Sequence, residues 1–260
     1  MLTYERFTEK IGNPPLIILH GLFGSAKNWI SVGKDLSAHF DVVIPSARNH
    51  GNSFHAATHN LDDLREDLHV LIHELDLKQP ILIGHSMGGL TAMDYARVYA
   101  ESVKALIIID IAPRSYSPGH ENEIAAQMMD VSRFETRPAI DQAMSQFVSD
   151  PMIRQFLQMN IARDASGKYI WQNNIHAIER SRKRTTFPQY DPPLYLGPAL
   201  FFRGLKSDYI HDEDVERMKN SFPQLTLVEV EGAGHWLHYT HRDLMMQKIN
   251  EFLAQPYFRM

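Results

Sequence analysis

The sequence predicts an α/β protein, with a mostly parallel central sheet, flanking helices and an inserted helical cap. Three observations carry that expectation. Short apolar runs at residues 16–19, 42–44, 81–83 and 103–109, the last interrupted only by Lys104, alternate with helical patterns. Such runs suit strands buried on both faces, and the alternation implies right-handed crossovers. The rhythm then breaks between about 114 and 190. There Ile124/Met128/Val131, Ile140/Met144/Phe147/Val148 and Ile153/Phe156/Leu157 repeat at helical spacing. It resumes at Ala199-Leu200-Phe201-Phe202. The chain is therefore divided into a core, 1–113 with 191–260, and a helical cap, 114–190.

Element by element, residues 2–8 alternate weakly and predict an edge strand. Asn13-Pro14-Pro15 predicts a turn before the first buried strand, which ends in His20-Gly21-Leu22-Phe23-Gly24-Ser25. A helix is expected over 28–37, then the strand 42–44 closed by Pro45. Asn60 or Asp62 can cap a helix whose Leu61, Leu64, Leu68, Leu71, Ile72 and Leu75 lie along one face. Ile81–Ile83 runs into Gly84-His85-Ser86-Met87-Gly88, and residues 90–99 continue as a helix. The strand 103–109 ends at Asp110-Ile111-Ala112-Pro113. In the cap no strong strand is expected, and Pro138 and Pro151 fall where the first turns of helices are expected. After residue 202 a helix near 212–220, a strand at 225–230, the loop Gly232-Ala233-Gly234-His235-Trp236 and a helix over 241–253 complete the chain.

Composition narrows the class of function. The 260 residues suffice for one large domain, and 44% hydrophobic with 22% charged residues is ordinary for a globular protein. A net charge of −5 gives no basic field to recruit nucleic acid or anionic membrane. Without cysteine, disulfides, thiolate catalysis and Cys-based zinc sites are excluded. Residues 1–15 hold charges and no apolar stretch, so a secretory signal is not expected, and no apolar run approaches the ~20 residues of a membrane span. The expected compartment is the cytoplasm. The sequence sets no oligomeric state.

The chemistry centres on Ser86. A Gly-x-Ser-x-Gly arises by chance roughly 0.1 times in such a chain, so the pentapeptide alone decides little. Its position between an apolar strand and a helix gives it meaning, because that turn lifts the serine hydroxyl clear of the sheet. A serine needs a base. Of 14 histidines, His235 is best placed, in a Gly-rich loop after the last strand, where loops gather at the sheet's carboxyl edge. His235, His238 and His241 are spaced by three, but no His-Glu-x-x-His accompanies them and no metal is implied. An oxyanion hole needs two backbone donors. Met87 N–H, after the nucleophile, and Leu22 N–H, in the turn after residues 16–19, are the candidates. His20 shapes that turn and is a candidate substrate contact. The acid that orients His235 is either Asp110, at the end of strand 103–109, or Asp208, after strand 199–202. A later-strand acid usually lies three residues beyond a Gly. Counted from Gly204 that position is Ser207, which favours Asp110 and leaves Asp208 one residue out of register.

The segments His20–Ser25, Arg48-Asn49-His50-Gly51-x-Ser53, Gly84–Gly89, Asp110–Pro113 and Gly232–Trp236 together resemble the small α/β-hydrolase esterases of bacteria and their mitochondrial relatives. The likeness runs from about residue 16 to the C-terminal helix, the cap being least alike. It implies the α/β-hydrolase fold and a carboxylic-ester hydrolase with Ser86 and His235 in its triad, and it supports Asp110 as the acid. Two departures stand out. Ser46 replaces an Asp two residues before Arg48, and the segment 204–208 is not the usual Gly-Gly-Asn-Ser, which keeps Asp208 open.

The expected function is therefore a serine carboxylesterase working through an acyl-enzyme on a small-molecule acyl ester or thioester, without cofactor, nucleic acid or membrane. An acyl-CoA thioesterase, a C–C hydrolase and a perhydrolase would use the same residues. An idle fold serving as a ligand-binding module is disfavoured by the intact Ser86/His235 pair. In the cap, Met128, Met129, Met144, Met152 and Met159 suit an adaptable acyl pocket or simply the cap's core. Trp171, with Tyr169, could line its mouth. The basic run Arg180, Arg182, Lys183 and Arg184 could attract an anionic leaving group such as the phosphates of an acyl-CoA, which would make the Michaelis constant rise with salt.

Overall fold

In the computed structural model, which describes residues 1–8, 13–182 and 186–258, seven strands form one sheet and a helical segment lies between its fifth and sixth strands in sequence. The strands and helices of the first part are β1 (Tyr4–Thr8), β2 (Leu16–Leu19), α1 (Ile30–Ser37), β3 (Asp41–Pro45), α2 (Leu61–Glu74), β4 (Ile81–His85), α3 (Met87–Val98) and β5 (Ala105–Ile109). The inserted segment holds α4 (Glu121–Gln127), α5 (Arg137–Met144), α6 (Pro151–Gln158), β6 (Ile161–Arg163), β7 (Tyr169–Trp171) and α7 (Ile175–Arg182). Then come β8 (Ala199–Gly204), α8 (Asp212–Ser221), β9 (Leu225–Val230), α9 (Leu237–Thr240) and α10 (Arg242–Leu253). The sheet order is β1-β3-β2-β4-β5-β8-β9, parallel except where β1 pairs antiparallel with β3.

The apolar runs form the central strands because both sheet faces are covered. Ile17, Leu82, Leu106 and Ile108 pack with Leu68 and Leu71 of α2 and Leu90 and Met93 of α3. Their neighbours Leu16, Ile18, Ile83 and Ile107 face the other way, onto Val32 and Leu36 of α1 and Ile249 and Phe252 of α10. Each such side chain, fully buried, contributes roughly 1.5–3 kcal/mol. The capping residue of α2 is Asn60, whose side chain accepts from Asp63 N–H at 2.9 Å. Pro138 lies in the first turn of α5, and Pro151 begins α6.

The sequence reading misses the two strands of the inserted segment and the short helix α9. Residues 161–171 form a two-stranded antiparallel hairpin where no strand is expected. Three-residue strands are too short for alternation to register. Their pairing is closed by Asp164, which accepts from the N–H groups of Ser166 and Lys168. In the inserted segment Ile124, Ile140, Met144, Leu157 and Ile178 are buried together, with Phe23 from the turn after β2.

Candidate active site

The register of the central strands assembles the site. His85 of β4 lies opposite Ile109 of β5, so the next residues, Ser86 and Asp110, leave the sheet side by side at its carboxyl edge. Ser86 N–H donates to Ile109 O at 3.2 Å, and Asp110 N–H to Phe202 O at 2.9 Å. Both residues are forced to positive φ, 53° at Ser86 and 54° at Asp110. Ser86 has ψ −118°, a strained conformation for any residue with a side chain. The turn closes only because its glycines are bare. A Cβ on Gly84 would stand 2.4 Å from Gly88 O, and one on Gly88 would stand 2.2 Å from Leu19 O.

Asp110 is fully buried and its oxygens are taken by three donors. His235 Nδ1 donates to Oδ2 at 2.8 Å, Gly204 N–H donates to Oδ1 at 2.8 Å, and Ser207 Oγ also donates to Oδ2. Burial pushes this carboxyl upward, but the hydrogen bonds from His235, Ser207 and Gly204 together carry it below its usual value. Asp208 is exposed and has no hydrogen bond or ion pair among the described residues, so it makes no contact of this kind with His235. The register argument also explains Ser207. The position where a later-strand acid usually stands holds a hydroxyl that supports the acid from β5. The sequence shows this residue at the right offset from Gly204 but gives no sign that its partner is Asp110.

Ser86 and His235 line one cavity of about 230 Å³, together with His20, Leu22, Ile153, Phe156 and Trp236. A second cavity of about 480 Å³ also opens on Ser86 and Leu22 and runs over Met87, Leu90, Ile111 and Ile178 to Arg114 and Arg182. On the turn after β2, Phe23 N–H donates to His50 Nε2 at 3.1 Å and Gly24 N–H to Gly21 O at 3.0 Å. Leu22 N–H, between these committed groups and the Gly21 carbonyl, has no partner among the described residues. Met87 opens α3, where helix N–H groups are free and the dipole's positive end lies.

His20 lines the smaller cavity but differs from its expected role. Its Nδ1 donates to Gly21 O at 2.8 Å and its Nε2 accepts from Ala47 N–H at 2.9 Å. Both nitrogens hold backbone, so no polar atom is left for a substrate. Burial, partly offset by the bond to Gly21, lowers it to about 4 and keeps it neutral, as an Nε2 acceptor must be. His85, which the sequence reading passes over, donates from Nε2 to the His235 carbonyl at 3.0 Å and lies under Gly21. His238 stacks on Trp29, with ring centroids 4.9 Å apart and planes at 11°, and packs against His85 at 4.1 Å.

The expectation for Trp171 is corrected. It lines neither cavity. Its indole donates to Met129 O at 3.0 Å and its ring packs in the cap core, because the hairpin turns this face inward. Tyr169 is buried in the same core. None of the five cap methionines lines either cavity; Met144 fills the cap core, while Met128, Met152 and Met159 are exposed. Of the basic run, Arg182 borders the larger cavity and is held by Gly119 O at 2.8 Å and Glu121 at 2.9 Å. Lys183 and Arg184 lie outside the described residues.

A serine in a strained strand–helix turn, beside a histidine bonded to a buried carboxylate, defines a class. The chain belongs to the alpha/beta hydrolase fold family, whose model matches residues 14–242. It is similar to the sn-1-specific diacylglycerol lipase ABHD11 of Mus musculus, 34% identical over 97% of this chain and 85% of that one. It is 28% identical to esterase YbfF of Escherichia coli over 93% of both chains. A solved structure titled marine microorganism esterase superposes with a TM-score of 0.90 at 40% identity, covering 97% of this chain and 99% of that one.

Proposed function

We propose that the protein is a serine carboxylesterase that hydrolyses small acyl esters through an acyl-enzyme. The observation that carries the proposal is the 2.8 Å bond from His235 Nδ1 to the buried Asp110, with His235 and Ser86 on one cavity wall. In this reading His235 Nε2 takes the Ser86 proton as Oγ attacks the ester carbonyl. Leu22 and Met87 N–H groups hold the oxyanion, each such donor being worth ~2.7–4 kcal/mol. His235 then returns the proton to the departing alkoxide, and the same groups activate water to release the acid. Asp110 fixes the His235 tautomer and stabilises the imidazolium, with Ser207 and Gly204 holding Asp110. The segment 114–190 acts as a cap over the core 1–113 and 191–260. Support comes from Glu123, Ile153, Phe156 and Leu157, which reach from it into the cavity wall. Similarity to proteins named esterase and lipase supports the ester as substrate. No helix among the described residues is long and apolar enough to cross a membrane, and the cytoplasm is the proposed workplace.

Hydrolysis of p-nitrophenyl esters of rising acyl length, with labelling by a fluorophosphonate, tests this. Wild type should turn over and label, and Ser86→Ala should do neither. A folded wild type that does neither would refute the assignment.

A further inference from the structure

We propose that Tyr209 is a positioning residue for His235, its ring packed on the imidazole and its hydroxyl held from the cap by His120. This rests on the ester-hydrolase reading. The two rings lie 3.7 Å apart between centroids at 14°, closer than any other ring pair among the described residues. Tyr209 is itself fixed from three sides. Its carbonyl accepts from Tyr116 Oη at 2.7 Å, its N–H donates to Ser207 Oγ at 3.3 Å, and its hydroxyl meets His120 Nε2 at 3.2 Å. His120 Nδ1 faces Glu123 at 3.8 Å, and burial keeps the Tyr209 phenol neutral. His120 Nε2 thus holds the phenol while its Nδ1 faces the carboxylate. His120 takes φ 67° where it starts α4, a conformation uncommon outside glycine, and Phe23 packs edge-on against it.

An acid–imidazole–hydroxyl chain from the cap thus runs beside Asp110–His235 and touches it through stacked rings. Its use follows from what His235 must do. Only Nδ1 is bonded, so the ring can still tilt about that bond, while Nε2 must meet first the Ser86 proton and then the leaving oxygen. The remaining groups against the ring are His85, at 4.7 Å, and Trp236, at 6.3 Å and nearly perpendicular. Tyr209 is the one of these rings that lies nearly parallel to the imidazole and stacks on it. It fixes the plane of the imidazole, and its π-surface favours the imidazolium that forms in each transition state. Both effects belong to the chemical step more than to binding, so they separate in kinetics from the residue's position on the walls of both cavities.

The test measures kcat and KM separately on p-nitrophenyl butyrate for the full chain and for Tyr209→Phe, Tyr209→Leu and Glu123→Gln. Thermal unfolding checks that each folds. Tyr209→Leu should lower kcat roughly tenfold with KM within about twofold. Tyr209→Phe keeps the ring and should stay within about threefold of wild type, and Glu123→Gln, which acts only through the hydroxyl, should lose no more than Phe. A wild-type kcat in Tyr209→Leu, or a raised KM with kcat unchanged, would overturn the proposal and make Tyr209 a cavity wall. Phe as poor as Leu would move the role to the hydroxyl and also overturn it. If Tyr209→Leu does not fold, Tyr209→Met is read in the same way: a roughly tenfold loss of kcat with KM unchanged supports the proposal, and a wild-type kcat removes it. A wild type without turnover or labelling at Ser86 would sink the esterase reading itself, whereas turnover indifferent to Tyr209 sinks only this one.

Discussion

Asp110 is where one residue decides between two mechanisms of support for a catalytic imidazole. Its carboxylate sits at zero exposure with three donors, while Asp208 is exposed, the residue after Ser207, whose hydroxyl Asp110 uses. Asp110→Asn keeps the shape but presents the wrong group to His235 Nδ1, and kcat should fall by roughly four orders of magnitude. Asp208→Asn should leave it within about twofold, since a surface carboxylate without a partner contributes little. A parallel assay of the two variants on one ester decides the matter, and the reverse order would return the acid to the later strand. Ser207→Ala removes one charge-assisted donor worth about 1.5–3 kcal/mol and should cost kcat about tenfold or more. Rescue by Ser207→Thr would show that the hydroxyl is what counts.

At the scale of the element, the strand–turn–helix at Ser86 is held by close backbone approach rather than by side-chain packing. Gly88 sits so that a Cβ would meet Leu19 O at 2.2 Å and His20 O at 2.8 Å, both main-chain atoms of the neighbouring strand and turn. Backbone cannot step aside, so Gly88→Ala should destabilise the protein by roughly 3 kcal/mol or more and lower Tm by about 6–12 °C. Calorimetry beside Ser86→Ala, which keeps the turn, isolates the effect. This element was legible because strain and close approach demand specific residues, which leave a signature in sequence. The same holds for Asn60 and for the prolines that open α5 and α6. The hairpin at 161–171 was not legible, since three-residue strands carry no period, and the inward turn of Trp171 follows from that pairing. Ser207 and Tyr209 belong to a third kind. Their types and offsets are plain, but their roles exist only through partners about 100 residues away, Asp110 and His120, which spacing does not reveal.

Across the whole molecule, histidines form the scaffold around the site. His20, His50 and His59 run under the turn after β2, with successive ring centroids 5.1 Å apart, and His85 and His238 lie under the His235 loop. Burial lowers His20 to about 4 and His59 and His85 to about 3, and burial with neighbouring histidines holds His50 and His238 well below the usual value. Two of them must be neutral to work, because His20 Nε2 and His50 Nε2 accept backbone N–H groups of Ala47 and Phe23. The unfolded chain protonates these rings near pH 6.5. Below that pH it binds protons that the folded state refuses, so the stability is complete above about 6.5 and is lost as pH falls toward 4 and 3. Each such histidine then costs about 1.4 kcal/mol per pH unit. The carboxylates act in the same direction only lower, Asp110 among them, since its folded value also lies below its unfolded one. Acid should therefore unfold the protein between about pH 6 and 4, before most carboxylates titrate. Urea unfolding at pH 8, 7, 6 and 5 checks this. A free energy that falls by more than one proton's worth per unit below pH 6.5 is expected, and a flat response down to pH 5 would mean that these rings titrate normally in the folded state. His59→Leu, which removes a ring whose Nδ1 is buried without a partner among the described residues, should make the fall shallower without removing an acceptor from the turn after β2.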